Sequence, residues 1–245
     1  MAQTHPMGHP LLCIRNLTKS YPTGLFSLGK TDVLCGIDFE LEAGQVKTVA
    51  GPNGSGKSTL LRILSGVESA ETGEVLVGGQ PITARANRMR IGYLPDGAPF
   101  PLELPAKRSL ELFGALLHMP RALCKSRATE LLERVGLASE AKRPIGQFSK
   151  GMLRRFALAQ AVLHKPALLL LDEPTDGLDA EGFGVFDELL SEARDGGAGV
   201  LIATHVADLP CDEVSVLWKG KIERTGGHEL LATLLELYRE LGSKA

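Results

Sequence analysis

Nine consecutive residues, Gly51-Pro52-Asn53-Gly54-Ser55-Gly56-Lys57-Ser58-Thr59, have the types and spacing needed to hold a phosphate. They fit G-x-x-x-x-G-K-[ST], in which glycines admit turns that a Cβ would forbid and so aim successive N–H groups at an anion. Lys57 supplies a full positive charge for the distal phosphates, and the Ser58 hydroxyl can ligate Mg²⁺. A second constellation lies downstream, where Leu168-Leu169-Leu170-Leu171 ends in Asp172-Glu173. One of these adjacent carboxylates can hold Mg²⁺ and the other can activate a water against a terminal phosphate. At the end of a buried strand such a carboxylate carries a desolvation penalty unless a cation pairs with it.

Both constellations need elements to aim them. Val46 to Ala50 reads as a short buried strand, and Lys57 to Gly66 as a helix carrying Leu60, Leu61, Ile63 and Leu64. The helix N-terminus then faces the phosphates, where the macrodipole favours negative charge. Strand-like runs cover residues 11–15 and 33–41, joined by a loop over 21–32. Leu25, Phe26 and Leu28 in that loop either tuck onto the core or meet a partner. Strands near 74–77 and 91–94 follow, then a linker punctuated by Pro95, Pro99, Pro101 and Pro105.

Residues 109–118, 121–135 and 151–163 are helical patterns with little strand signal between them, read as a helical subdomain inserted over 97–163. The run 167–171 is apolar without alternation, as expected of a parallel strand covered on both faces. A helix near 180–193, a strand at 200–203 and a hairpin of 214–218 with 221–225 around Gly220 complete the core, with Trp218 placed inside it. Over 227–242 a C-terminal helix puts Leu230, Leu231, Leu234, Leu237, Tyr238 and Leu241 on one face, for docking on its own domain or for a dimer contact.

Bulk properties exclude several classes. With 245 residues the chain has room for one large domain, over 11–245, after a flexible tail at 1–10. A formal charge of −2 leaves no electrostatic footprint for nucleic acid. Cys13, Cys35, Cys124 and Cys211 are scattered without a C-x-x-C pair, the usage of reduced structural thiols in a cytosolic protein. His5 and His9 in the tail define no metal geometry. No stretch approaches the roughly 20 apolar residues of a spanning helix, so a membrane role has to come through a partner.

The order of motifs resembles that of the ATP-binding cassette ATPases over nearly all of the chain after residue 10. Phe148-Ser149-Lys150-Gly151-Met152 stands where that family has its L-S-G-G-Q signature. Ser149 is a good N-cap there, and Gly151 lets backbone approach an anion at a helix start. Asp176-Gly177-Leu178-Asp179 is similar to the family's D-loop, His205 stands at the switch histidine, and Tyr21 at the aromatic residue that stacks on adenine. The resemblance implies an α/β fold: a P-loop NTPase core with a mixed β-sheet (11–96 and 164–226), an antiparallel β subdomain and the inserted helices. It implies ATP and Mg²⁺, with Ser58, Asp172 and Asp96 on the metal side. Glu173 then serves as general base, with Lys57 and His205 completing the catalytic set. Tyr21, the loop from Gly51 to Thr59, Ser149, Gly151 and Asp179 contact nucleotide. Ser149 and Gly151 would serve a second cassette's ATP, so the active form is a homo- or heterodimer.

The same resemblance implies transmembrane permease subunits as partners, placing the chain at the inner face of the cell membrane. Two residues depart from the pattern. Asp96 replaces the usual Gln, and reads either as a metal-side carboxylate or as a turn residue before Gly97. Lys150 replaces the first signature glycine, to pair with phosphate or to face solvent. The Ser-Lys-Gly-Met form is similar to export-type cassettes. Rival readings are a soluble cassette that remodels a cytosolic complex and a regulator that binds nucleotide without turnover.

Overall fold

The computed structural model describes residues 10–23, 29–97, 100–205 and 209–243. In chain order it forms β1 (Leu12–Thr23), β2 (Gly29–Leu41), β3 (Val46–Ala50), α1 (Lys57–Leu64), β4 (Thr72–Val77), β5 (Gln80–Pro81), α2 (Arg85–Arg88) and β6 (Ile91–Leu94). Helices α3 (Ala106–Leu116), α4 (Arg121–Arg134) and α5 (Lys150–Ala161) follow. Then come β7 (Leu168–Asp172), α6 (Ala180–Asp195), β8 (Gly199–Thr204), β9 (Glu213–Trp218), β10 (Lys221–Gly226), α7 (Glu229–Ala232) and α8 (Leu234–Ser243). One sheet is antiparallel, in the order β2-β1-β4-β5. The other is mixed, in the order β10-β9-β3-β8-β7-β6, parallel throughout except for the β9–β10 hairpin.

Side-chain alternation explains why the mixed sheet is buried on both faces. Along β7, Leu168 and Leu170 point into one apolar layer with α1 and the antiparallel sheet. Leu169 and Leu171 point the other way, into a layer built from the inserted helices and α6. β8 divides likewise, with Leu201 and Ala203 on the first side and Val200 and Ile202 on the second. The run of leucines that ends in Asp172 is therefore the central wall between two cores. α3, α4 and α5, inserted between β6 and β7, share the second layer through Leu110, Leu131 and Phe156.

Three expectations are corrected. The loop expected over 21–32 is largely paired strand, with Ser20 opposite Asp32, Tyr21 opposite Thr31 and Thr23 opposite Gly29. The polar alternation of these exposed residues hides the strand from an apolar pattern; Leu25, Phe26 and Leu28 lie outside the described residues, as do His5 and His9. The single C-terminal helix is two helices broken at Thr233, whose hydroxyl bonds the Leu230 carbonyl at 3.1 Å and competes with the helical ladder. Trp218 is half-buried rather than interior, covered by a stacked Tyr238 ring at 5.8 Å. The apolar face of α7 and α8 docks on its own domain, Leu230, Leu231, Leu234 and Leu237 packing on Ala50, Val214 and Val216. Leu231→Ala is expected to cost about 2–5 kcal/mol in urea unfolding; an unchanged midpoint would mean that this face is not part of the cooperative core.

Candidate active site

β3 runs between β8 and β9, and its C-terminal end delivers the chain into the glycine-rich loop. Gly51 N–H bonds the Thr204 carbonyl at 3.3 Å, tying the start of the loop to the end of β8. Gly56 has φ 111°, and a Cβ there would meet the Val33 carbonyl oxygen at 2.8 Å, so the final turn into α1 accepts glycine alone. The first-turn N–H groups of α1 have no intrahelical acceptor, and no acidic side chain occupies that turn. An anion is the natural partner for them. Lys57 is only 6% exposed; its Nζ donates to the carbonyls of Gly51 (2.7 Å) and Pro52 (3.2 Å). Burial pushes its pKa down, against the pull of Glu173 and Asp172. The ammonium is thus desolvated with room for more negative charge. Ser55 Oγ is buried without a hydrogen-bond partner, Asn53 and Gly54 are exposed, and Pro52 and Ser58 are partly covered.

The carboxylates come from the last residue of β7 and the residue after it, one strand removed from β3, with β8 between them. Asp172 is 1% exposed and its Oδ1 has no hydrogen-bond partner. Burial raises its pKa, opposed by a hydrogen bond from Ser58, while Asp96 and Glu173 raise it further and Lys57 lowers it. A carboxylate held out of water with an orphan oxygen beside a serine hydroxyl is a donor set that fits a hard divalent cation. Glu173 sits in left-handed backbone at φ 48°, its N–H bonded to the Ala203 carbonyl at 2.9 Å. Its carboxylate accepts from Thr204 Oγ1 at 3.1 Å and lies 2.9 Å from His205 Nδ1 and 3.8 Å from Lys57 Nζ. With 15% exposure it stands where the pocket meets water, as a base that activates a water must.

The remaining candidates divide. Tyr21, on β1, reaches Thr59 Oγ1 and Arg62 on α1, each at 3.5 Å, which sets its ring beside the phosphate-loop helix. Thr59 is buried and also accepts from Arg62 at 3.1 Å. Ser149 caps α5 by accepting from the Met152 N–H at 3.2 Å. A Cβ on Gly151 would lie 3.2 Å from the Gly177 carbonyl oxygen. Lys150 is exposed, and its Nζ pairs with Asp176 at 2.8 Å, joining the start of α5 to the turn after β7. The Asp179 carboxylate accepts from the Gly182 N–H at 2.8 Å as the N-cap of α6. Asp96 is 66% exposed and lies 3.8 Å from Arg154.

Arg154 and Thr204 were not among the candidates read from the sequence. Arg154 is 7% exposed and donates to four backbone carbonyls, those of Pro95, Asp172, Glu173 and Asp176. A signal was available: it shares a helical stripe with Ala157, Leu158 and Ala161, and a charge on the buried face of a helix needs partners. Thr204 shows no such mark, since a threonine closing a strand is commonplace.

Residues 34–176 match the ABC transporter family. The daunorubicin resistance ATP-binding protein DrrA3 of Streptomyces coeruleorubidus is 38% identical over 81% of this chain and 64% of its own length. The Nod factor export ATP-binding protein I of Rhizobium meliloti is 36% identical over 89% of this chain and 65% of its own. The chain thus spans less than two thirds of the length of these relatives. A dimeric post-hydrolysis structure of the ATP-binding cassette MJ0796 bound to ADP and Pi superposes with a TM-score of 0.80 at 25% identity, covering 89% of this chain and 98% of that one. The phosphate loop, the paired carboxylates, the capped helix α5 and the fold agree with these likenesses, and the chain belongs to the ABC transporter family.

Proposed function

We propose that the chain binds and hydrolyses ATP to drive export through separate transmembrane subunits. The observation that carries this reading is Glu173, held by Thr204 and His205 within 3.8 Å of the phosphate-loop lysine. The N–H groups of the loop and α1 cradle the phosphates, and Lys57 neutralises the distal ones. Tyr21 lies against the same helix and offers its ring to the base. Glu173 takes a proton from the attacking water, while His205 orients the carboxylate and faces the terminal phosphate. Ser58 and Asp172 would hold Mg²⁺, with Asp96 adding charge beside them; the ion supplies Lewis-acid neutralisation of the phosphate oxygens.

Among the described residues no helix is long and apolar enough to cross a membrane, which is why the pore is assigned to other chains. Attachment at the inner face of the membrane follows from that assignment. The names of the relatives, resistance and export, favour transport over remodelling of a cytosolic complex and outward over inward movement. An exposed Ser149 at the start of α5 suits a site completed by a second cassette, Ser149 and Gly151 of each closing over the other's ATP. Asp179 acts there through the turn it caps.

The test is ATP turnover per chain as a function of protein concentration. Turnover should rise with concentration until the dimer saturates, and Ser149→Ala should shift that rise to higher concentration. A rate per chain that is flat under dilution, with monomers in sedimentation, would remove the shared site. Export itself is checked by recovering a multi-span protein with the chain from membranes; recovery from the soluble fraction alone would favour the remodeller.

A further inference from the structure

We propose that Arg154 is a positioning residue for the general base, fixing the Glu173 peptide so that its carboxylate meets Lys57 and His205. The inference rests on the reading of Glu173 as that base. Left-handed backbone at a residue with a side chain persists only where its surroundings over-determine it. At Glu173, φ 48°, the N–H is held by Ala203 on β8, and the carbonyl accepts from Arg154 Nη2 as well as from the Asp176 N–H at 3.1 Å. The same Nη2 reaches the Asp172 carbonyl at 3.4 Å, so one guanidinium grips both carbonyls of the catalytic pair.

Arg154 is itself anchored. Nη1 donates to the Pro95 carbonyl at 3.1 Å, Nε to the Asp176 carbonyl at 3.4 Å, and Asp96 supplies the counter-charge at 3.8 Å. Only a planar fork with five donors can serve so many acceptors from one side chain. Arg154 also stands on α5, whose N-cap is Ser149. The base is thereby tied to the helix that carries the signature, and a shift of α5 moves the Glu173 carbonyl directly. Asp96 in place of a neutral amide fits this scheme, since a carboxylate compensates a guanidinium that is 7% exposed.

The discriminating variant is Arg154→Lys, which keeps the charge facing Asp96 but replaces the fork by a single point of donation. It is expected to retain ATP affinity and a near-parental melting temperature while kcat falls about 10–10²-fold, the effect of a small misplacement of a catalytic group. KM should stay where it was. In a Glu173→Gln background the same change should add no further loss, because the group being positioned is already gone. Parental kcat in Arg154→Lys would overturn the inference, and so would an equal loss in the Glu173→Gln background or a loss expressed only in ATP affinity. Near-normal turnover in Glu173→Gln alone would instead remove the base reading. Arg154→Gln, if it folds, should lose more than Arg154→Lys; equal turnover in the two would show that the fork is not what matters.

Discussion

Glu173→Gln is expected to leave ATP binding intact and to cut turnover by about 10²–10⁴-fold, the usual worth of a positioned base. The substitution is nearly isosteric. The amide oxygen can still accept from Thr204 Oγ1, now at 3.1 Å from the carboxylate, and the left-handed backbone is held by bonds that do not involve the side chain. What disappears is the group proposed to take the proton and the negative charge 3.8 Å from Lys57. Losing that charge leaves Lys57 less compensated and should, if anything, tighten the hold on phosphates. If two chains share the site as proposed, hydrolysis is what parts them, and the variant should accumulate as an ATP-bound dimer in gel filtration. Phosphate release at steady state and equilibrium titration with ATP check the two halves separately. Near-normal turnover would take Glu173 out of the role.

The parts of this site that were legible in the sequence are those made of consecutive residues. The phosphate loop and Asp172-Glu173 announce themselves because their geometry is local: a strand, a turn and a helix suffice to form them. Sheet order was legible only as a class. Nothing in the spacing of 46–50, 168–172 and 199–204 says that β8 lies between β3 and β7, yet that order is what brings Thr204 and His205 to Glu173. The burial of Arg154 could be read from its helical stripe, but what it holds was hidden for the same reason. Its partners come from residue 95 and from the stretch 172–176, two separate segments that only tertiary packing brings to α5. Lys150 could be read toward phosphate or solvent because its partner Asp176 is 26 residues away. The β1–β2 hairpin escaped because its outer half is polar on both faces and offers no period-two apolar signal.

Lys57→Ala should abolish saturable ATP binding. Lys57 Nζ donates to the carbonyls of Gly51 and Pro52 and lies 3.8 Å from the Glu173 carboxylate. In the variant, Asp172 and Glu173 line one side of the site proposed for the distal phosphates, and the triphosphate meets their like charge with no Lys57 ammonium to offset it. Truncating one partner of a buried, hydrogen-bonded charge pair across a binding interface costs about 2–5 kcal/mol, which corresponds to a loss of roughly 30- to 4,000-fold in affinity. The cost should fall on binding rather than on folding. Burial depresses the pKa of Lys57, so the free chain already carries the penalty of keeping that ammonium from water, and alanine relieves it. The melting temperature of the nucleotide-free variant is therefore expected near that of the parent, while the upward shift that ATP gives the parent should vanish. Unchanged ATP affinity by titration would contradict the assignment of the loop. A variant that keeps its ATP-induced thermal shift would contradict it too, because that shift is binding energy read through stability.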